Sequence, residues 1–118
     1  MARLAADASV FAAVADPTRR AILELLRDGE QTVSALLEGV HKRAIKATQS
    51  AFSQHLAVLR GAGLVRHRKE GRLRFYRVEP APLEELSMWI HTFDKFWEEK
   101  LDNLGRYLDD THGRPAGA

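Results

Sequence analysis

Gln49, Ser50, Ser53 and Gln54 have the residue types and the spacing to read the edges of base pairs. At 3.6 residues per turn, Phe52, Leu56 and Leu59 fall on one side of this stretch, while Ser50, Ser53, Gln54 and Ala57 fall on the other. A solvated helix face normally carries Lys and Glu. A small, uncharged face of Gln, Ser and Ala can instead sink into the major groove, forming hydrogen bonds and methyl contacts with base edges. Gln49 sits at the helix start and joins the group, and Gly63 stops the helix. His55 lies on the flank of the apolar side, where a packed or phosphate-bonded histidine is expected rather than a catalyst.

Charge is distributed to match. Residues 41 to 78 hold ten Lys or Arg and one acid, whereas both flanks are acidic, so a formal net charge of +2 hides a basic middle third. Such a block attracts polyanions. It lies on an expected hairpin and around a helix start, not on a long amphipathic helix, which favours double-stranded DNA over a membrane surface. Within the block, Lys69, Arg72 and Arg74 are placed near a hairpin tip that can lie along the minor groove. Lys42, Arg43 and Lys46 lie in the basic stretch His41 to Ala47, beside the reading helix, and are candidates for phosphate contact. Leu73, Phe75, Tyr76 and Val78 read as hairpin packing; single-stranded binding would want such aromatics exposed.

The elements that must position these residues are legible at coarse grain. Ser9 to Ala15 reads as a short helix. Asp16-Pro17 starts a second helix running to about Arg27, with Asp as cap, Pro at the first position and Asp28-Gly29 as its end. Thr32 caps a third, in which Val33, Leu36, Leu37 and Val40 follow helical spacing. After the reading helix, Leu64 to Glu70 and Arg72 to Val78 form a β-hairpin. From about Ala81 to Leu108 the chain is expected to be helical again. The fold class is mainly α with a small β-hairpin, a winged helix-turn-helix with a long C-terminal dimerisation helix.

Several motifs in fixed order then carry a resemblance. Ala15-Asp16-Pro17-Thr18-Arg19-Arg20-Ala21-Ile22-Leu23, Ser53-Gln54-His55-Leu56-Ala57-Val58-Leu59-Arg60, Gly63-Leu64-Val65, and Gly71-Arg72 through Phe75-Tyr76-Arg77 resemble the ArsR family of bacterial transcriptional repressors. The likeness covers roughly residues 9 to 108. It implies a homodimeric repressor that binds an operator in its own promoter region and is released by some signal.

Two departures qualify what the resemblance implies. Founding members sense metals through a cysteine pair at the start of the third helix, and here Thr32 and Ser34 stand at those positions. The chain has no cysteine, so thiolate sensing at that site is excluded. A second family site pairs Asp and His with His and Glu of the partner; His91, Asp94, Glu98 and Asp102 do not reproduce that spacing. His91 reads as a surface histidine beside carboxylates, with a borderline zinc site as the alternative, and no metal or cofactor is expected. The other departure is the stretch from Thr32 to Gln49, longer than the family's usual turn by the basic segment already noted.

In the last helix, Leu83, Leu86, Ile90, Phe93, Trp97, Leu101, Leu104 and Leu108 recur at intervals of three and four. An unbroken helix of that length spans about 42 Å, against a radius of gyration of about 13 to 14 Å for a domain of this size. The stripe therefore calls for a partner, most simply the same helix of a second copy. Val10, Phe11, Val14, Phe93, Trp97, Leu101 and Leu104 are the expected dimerisation residues. Trp89, Phe93, Phe96 and Trp97 are the alternative site of a pocket for an unidentified small-molecule effector.

Composition bounds the rest. The 118 residues suit one domain, expected at 9–109 between an N-terminal arm at 1–8 and a flexible tail at 110–118. The N-terminus lacks the apolar core of a signal peptide and no stretch is long enough to span a bilayer, so a cytoplasmic protein is expected. No nucleophile elbow, phosphate loop or zinc-protease motif is present, which argues against an enzyme. A dimeric protein-interaction module on the same fold is the rival from another class.

Overall fold

The first two helices are tied together by capping. The computed structural model describes residues 8–112. Helix α1 spans Ala8–Val14. The Arg19 guanidinium donates to the Ala13 and Ala12 carbonyls at 2.8 and 3.0 Å, and Arg20 Nη1 donates to those of Val14 and Ala15. These bonds satisfy acceptors that a helix C-terminus leaves open. Helix α2, Pro17–Leu25, starts on the Asp16 side chain, which accepts from Arg19 N at 3.0 Å. A 3-10 turn at Leu26–Asp28 follows, so α2 stops short of Arg27.

Gln31–Thr32 then forms β1, a two-residue strand that the sequence did not announce. It pairs with β3 and makes the expected hairpin a three-stranded antiparallel sheet of order β1-β3-β2, with β2 at Val65–Glu70 and β3 at Leu73–Val78. Thr32 also caps α3, Val33–Lys42, by accepting from Ala35 N at 3.2 Å. Part of the basic insertion is thus the last turn of α3. Thr48 caps α4, Gln49–Gly61, accepting from Ala51 N at 3.0 Å.

Both ends of the α3–α4 pair close in the same way. After α4, Gly63 N donates to Arg60 O and Leu64 N to Leu59 O, with Gly63 at φ 77°. After α3, Ala44 N donates to His41 O and Ile45 N to Val40 O, with Ala44 at φ 64°. Each is a Schellman motif, in which a left-handed residue turns the chain and an apolar residue follows it back onto the core. Leu64 is buried and Ile45 packs against the core. That core gathers Val10, Ala13, Ile22, Leu26, Leu36, Val40, Phe52, Leu56, Leu59, Leu64, Val65 and Tyr76.

The C-terminal segment departs from expectation. In place of one helix there are two, α5 at Pro80–His91 and α6 at Asp94–His112. Between them Thr92 N and Oγ1 both bond to Trp89 O, at 3.1 and 2.6 Å, and Phe93 N bonds to Ile90 O. These tight three-residue bonds replace the helical ladder, which removes the premise of an unbroken span. Helix α6 alone is about 28 Å long. It also runs to His112, into the expected tail, because no Gly or Pro occurs between Leu108 and Gly113. Of the expected arm and tail, residues 1–7 and 113–118 lie outside the described residues.

Two compact units divide within α5, after Ser87. In the first, Leu83 and Leu86 pack against the core. In the second, Met88, Trp89, Ile90, Phe96, Trp97, Leu101, Leu104, Tyr107 and Leu108 are all exposed. No described helix is long and apolar enough to cross a membrane.

Candidate nucleic-acid interface

Helix α4 is anchored on one side only. Phe52, Leu56 and Leu59 are buried at 1, 3 and 0% exposure, whereas Gln49, Ser50, Ser53, Gln54 and Ala57 are exposed. The four polar side chains of that outer face make no hydrogen bond with any described residue, so their donors and acceptors are open to an external partner. The faces therefore lie as the 3.6-residue period places them. His55, on the flank, is half-buried: Arg19 Nη1 lies 3.1 Å from its Nδ1. Asp16 Oδ2 stands 3.9 Å away. Burial works to raise the Asp16 pKa, but the Arg19 backbone N–H and the neighbouring His55 and Arg19 outweigh it and hold the carboxyl below its usual range. Through this node α4 is fastened to the α1–α2 junction.

The hairpin register divides the wing's charges between two faces. Val65 pairs with Val78, His67 with Tyr76 and Lys69 with Arg74, and these share the face that carries the buried Val65 and Tyr76. Arg66 pairs with Arg77, Arg68 with Phe75 and Glu70 with Leu73 on the opposite face. There every arginine meets an acid. Glu79 lies 3.8 Å from Arg66 and 3.4 Å from Arg77. Arg68 bonds Glu30 at 2.9 Å and Glu70 at 3.2 Å, and stacks 4.7 Å over the Phe75 ring. The Arg68 hydrogen bond holds the Glu30 carboxyl below its ordinary value. The block of residues 41 to 78 thus overstates the free charge, because Glu30 and Glu79 fold back onto it from outside.

Lys69, Arg72 and Arg74 differ from these. They are exposed and none lies within ion-pair distance of a described carboxylate. Lys69 and Arg74 stand directly opposite each other, a like-charge pair that costs stability unless an anion separates them. With Gly71 and Arg72 they border an open cleft against Thr32, Val33 and Ser34 at the start of α3.

The insertion contributes less uniformly than its sequence suggests. Arg43 bonds Glu24, and Lys42 lies 3.9 Å from Glu38. Lys46 is exposed with no ion-pair partner among the described residues. His41 Nε2 meets Ala47 O at 3.1 Å and braces the loop. Exposed ion pairs are weak, so Lys42 and Arg43 remain exchangeable to phosphates.

Two residues of this region escaped the sequence reading. Arg60, in the last turn of α4, is exposed and has no ion-pair partner among the described residues. His67 stacks against Tyr76 with ring centroids 5.0 Å apart, and its Nδ1 is buried without a hydrogen-bond partner. The alternation of β2 was the one signal that could have placed it beside Tyr76.

Among the expected dimerisation residues, Val10 is corrected: at 4% exposure it belongs to the chain's own core, since its spacing with Ala13 turns it inward. Phe11 and Val14 are half-buried, and Trp97, Leu101 and Leu104 are exposed. The expected pocket aromatics stack on one another, with Trp89–Phe93, Phe93–Trp97 and Phe96–Trp97 centroids 5.1, 6.1 and 4.9 Å apart. His91 Nδ1 lies 3.1 Å from Asp94, and among the described residues no three metal-ligating side chains of His, Asp or Glu come together.

A family model described as a helix-turn-helix domain matches residues 14–68. The HTH-type transcriptional regulator Rv2034 of Mycobacterium tuberculosis is 37% identical over 97 residues, 82% of this chain and 83% of that protein. The arsenic resistance transcriptional regulator ArsR2 of Pseudomonas putida is 36% identical over 112 residues, 90% of this chain and 89% of its own. The solved structure of an ArsR-like transcriptional regulator from Rhodococcus sp. RHA1 superposes with a TM-score of 0.64 at 30% identity, covering 88% of this chain and 91% of that one. The chain belongs to the ArsR family. As an ArsR-family member it is a DNA-binding transcriptional regulator with a winged helix-turn-helix fold.

Proposed function

We propose that this regulator is a homodimeric repressor, acting in the cytoplasm on an operator that Ser50, Ser53 and Gln54 read from the major groove. Gln49 and the α4 N-terminus bind flanking phosphates, joined by Lys42, Arg43 and Lys46. Lys69, Arg72 and Arg74 grip the backbone beside the minor groove. The observation that carries this reading is the outer face of α4: four polar side chains, exposed and unbonded, on a helix held rigidly by Phe52, Leu56 and Leu59. Dimerisation is supported by the second unit, whose apolar side chains are left uncovered within the chain, Leu101 at 66% and Leu104 at 51%. A second copy meets both needs, covering like with like and presenting two reading helices to successive major grooves.

Duplexes selected from a randomised pool test the reading. The protein should retain a defined, two-fold-related sequence and shift it at concentrations where a scrambled duplex stays free. Enrichment of no sequence, with equal retention of scrambled DNA, would favour a protein-interaction module that has kept the fold.

A further inference from the structure

The two like-charge pairs of the hairpin are built differently. Arg66 and Arg77 share Glu79 as a counter-charge, whereas Lys69 and Arg74, closer to the tip, share none. The position next to them on the same face is His67, opposite the buried Tyr76. From α4 the charge of Arg60 bears on the His67 ring, as do those of Lys69 and Arg74 from the hairpin. No described carboxylate lies within ion-pair distance of any of the four. His67, Lys69 and Arg74 thus share one face of the hairpin, the charge of Arg60 acts on the same ring, and no described carboxylate pairs with any of them.

We infer that Arg60, His67, Lys69 and Arg74 form a single phosphate-binding cluster where α4 meets the wing, and that DNA occupying it is bound together with a proton on His67. The inference rests on the DNA-binding reading and adds two residues, Arg60 and His67, and a regulation to it. In the free protein the fold disfavours the protonated ring. Burial is the larger cause and the charges of Arg60, Arg74 and Lys69 the next, and together they keep the His67 pKa below its ordinary 6.5. The buried Nδ1 acts in the same direction, since a protonated ring needs acceptors for both nitrogens and this one has none. The unfolded chain takes the proton more readily, so the free fold loses stability as pH falls below 6.5. A phosphate among the three cations cancels their repulsion and raises the proton affinity of the ring. Affinity for DNA should then rise as pH falls, opposite in sign to the stability of the free fold. A midpoint raised by half a unit corresponds to about threefold tighter binding per subunit.

The test is fluorescence anisotropy of the full chain on two duplexes at fixed ionic strength, one selected from a random pool and one scrambled, from pH 7.5 to 5.5. Phosphate is common to both, so the wild-type protein should tighten about threefold or more on each, and His67→Gln should lose that dependence. Arg60→Gln should lower the slope of log affinity against log salt by about one for each phosphate that a subunit no longer neutralises. A histidine-resolved NMR titration of the wild-type chain needs no variant: one ring should shift its midpoint upward when scrambled duplex is added. Equal pH dependence in wild type and His67→Gln, or no ring midpoint moving, would overturn the inference while DNA binding stands. Failure to bind either duplex at any pH would instead remove the DNA reading, and the inference with it.

Discussion

Helices α4 and α6 both present a wide face to solvent, yet the two faces have opposite chemistry. In α4 every large apolar side chain except Val58 is buried, and what remains outside is Gln, Ser, Ala, His and one Arg. In α6 Phe96, Trp97, Leu101, Leu104, Tyr107 and Leu108 are all at least 44% exposed. Helix α4 is complete within the chain and offers hydrogen-bonding groups outward; α6 leaves its large apolar side chains uncovered within the chain. A substitution on the first face should therefore change what is bound, and one on the second how the chain assembles. Folding of the winged unit should be spared in both cases.

The largest effect is expected at α6. In the proposed dimer, Leu101→Glu would put a carboxylate into the apolar seam twice by symmetry, a burial that costs several kcal/mol unless the dimer opens. Because Leu101 is 66% exposed within its own chain, the variant should keep its helical signal and sediment as a monomer. Each subunit alone grips only half of the operator, so affinity for the selected duplex should fall by about a hundredfold or more. A wild-type protein already monomeric at micromolar concentration, or a dimeric variant that binds normally, would end the contrast between the helices.

On α4 the effect should be smaller and selective. Gln54→Ala and Ser50→Ala each remove a free hydrogen-bonding group without touching the buried side. Each should cost about 1 to 3 kcal/mol on the selected duplex and much less on scrambled DNA. Urea midpoints should stay within the roughly 0.5 kcal/mol scatter of surface substitutions. Equal losses on both duplexes would mean that α4 supports the backbone grip and reads no bases.

The wing carries the same lesson on a finer scale, since its two faces separate cations already neutralised from cations still free. Arg72→Ala should lower the salt slope by about one for each phosphate released from a subunit's grip. Arg68→Ala should leave that slope unchanged, because Arg68 is already held by Glu30 and Glu70. A fall in slope for Arg68→Ala would show that DNA displaces those acids.

What could be read in advance follows from the range of the interactions. The faces of α4 depend on a local period, and the caps Asp16, Thr32 and Thr48 on bonds reaching three residues along the chain. Both kinds are visible in a single sequence. Strand β1 is not, because Gln31 and Thr32 are extended only by pairing with Tyr76 and Phe75. For the same reason Glu30 could not be recognised as a partner of Arg68, nor Glu79 as a partner of Arg66. The break at Thr92 is hidden by the stripe itself, since Leu86, Ile90, Phe93 and Trp97 continue the spacing of three and four across it. Arg60 and His67 belong to elements whose apposition only the fold creates.

The smallest effect bears on how firmly α4 is held. The two Schellman turns that bracket it use the same bonds, but one places Gly63 and the other Ala44 in the left-handed region. A residue with a Cβ costs about 1 to 2 kcal/mol there, and glycine returns about 0.5 to 1 kcal/mol of that through the greater freedom of the unfolded chain. Ala44→Gly should therefore stabilise the protein by about 0.5 to 1 kcal/mol, and Gly63→Ala should lose about 1 kcal/mol. Crowding is no part of the second cost, because a Cβ at Gly63 would meet only Pro82 Cγ, at an ordinary 3.9 Å. Urea unfolding at constant slope reads both, and DNA affinity should move with neither, since both turns keep α4 in place. An Ala44→Gly protein less stable than wild type would mean that the turn entering α4 is not equivalent to the turn leaving it. The basic loop from Arg43 to Ala47 would then be free to move independently of the reading helix.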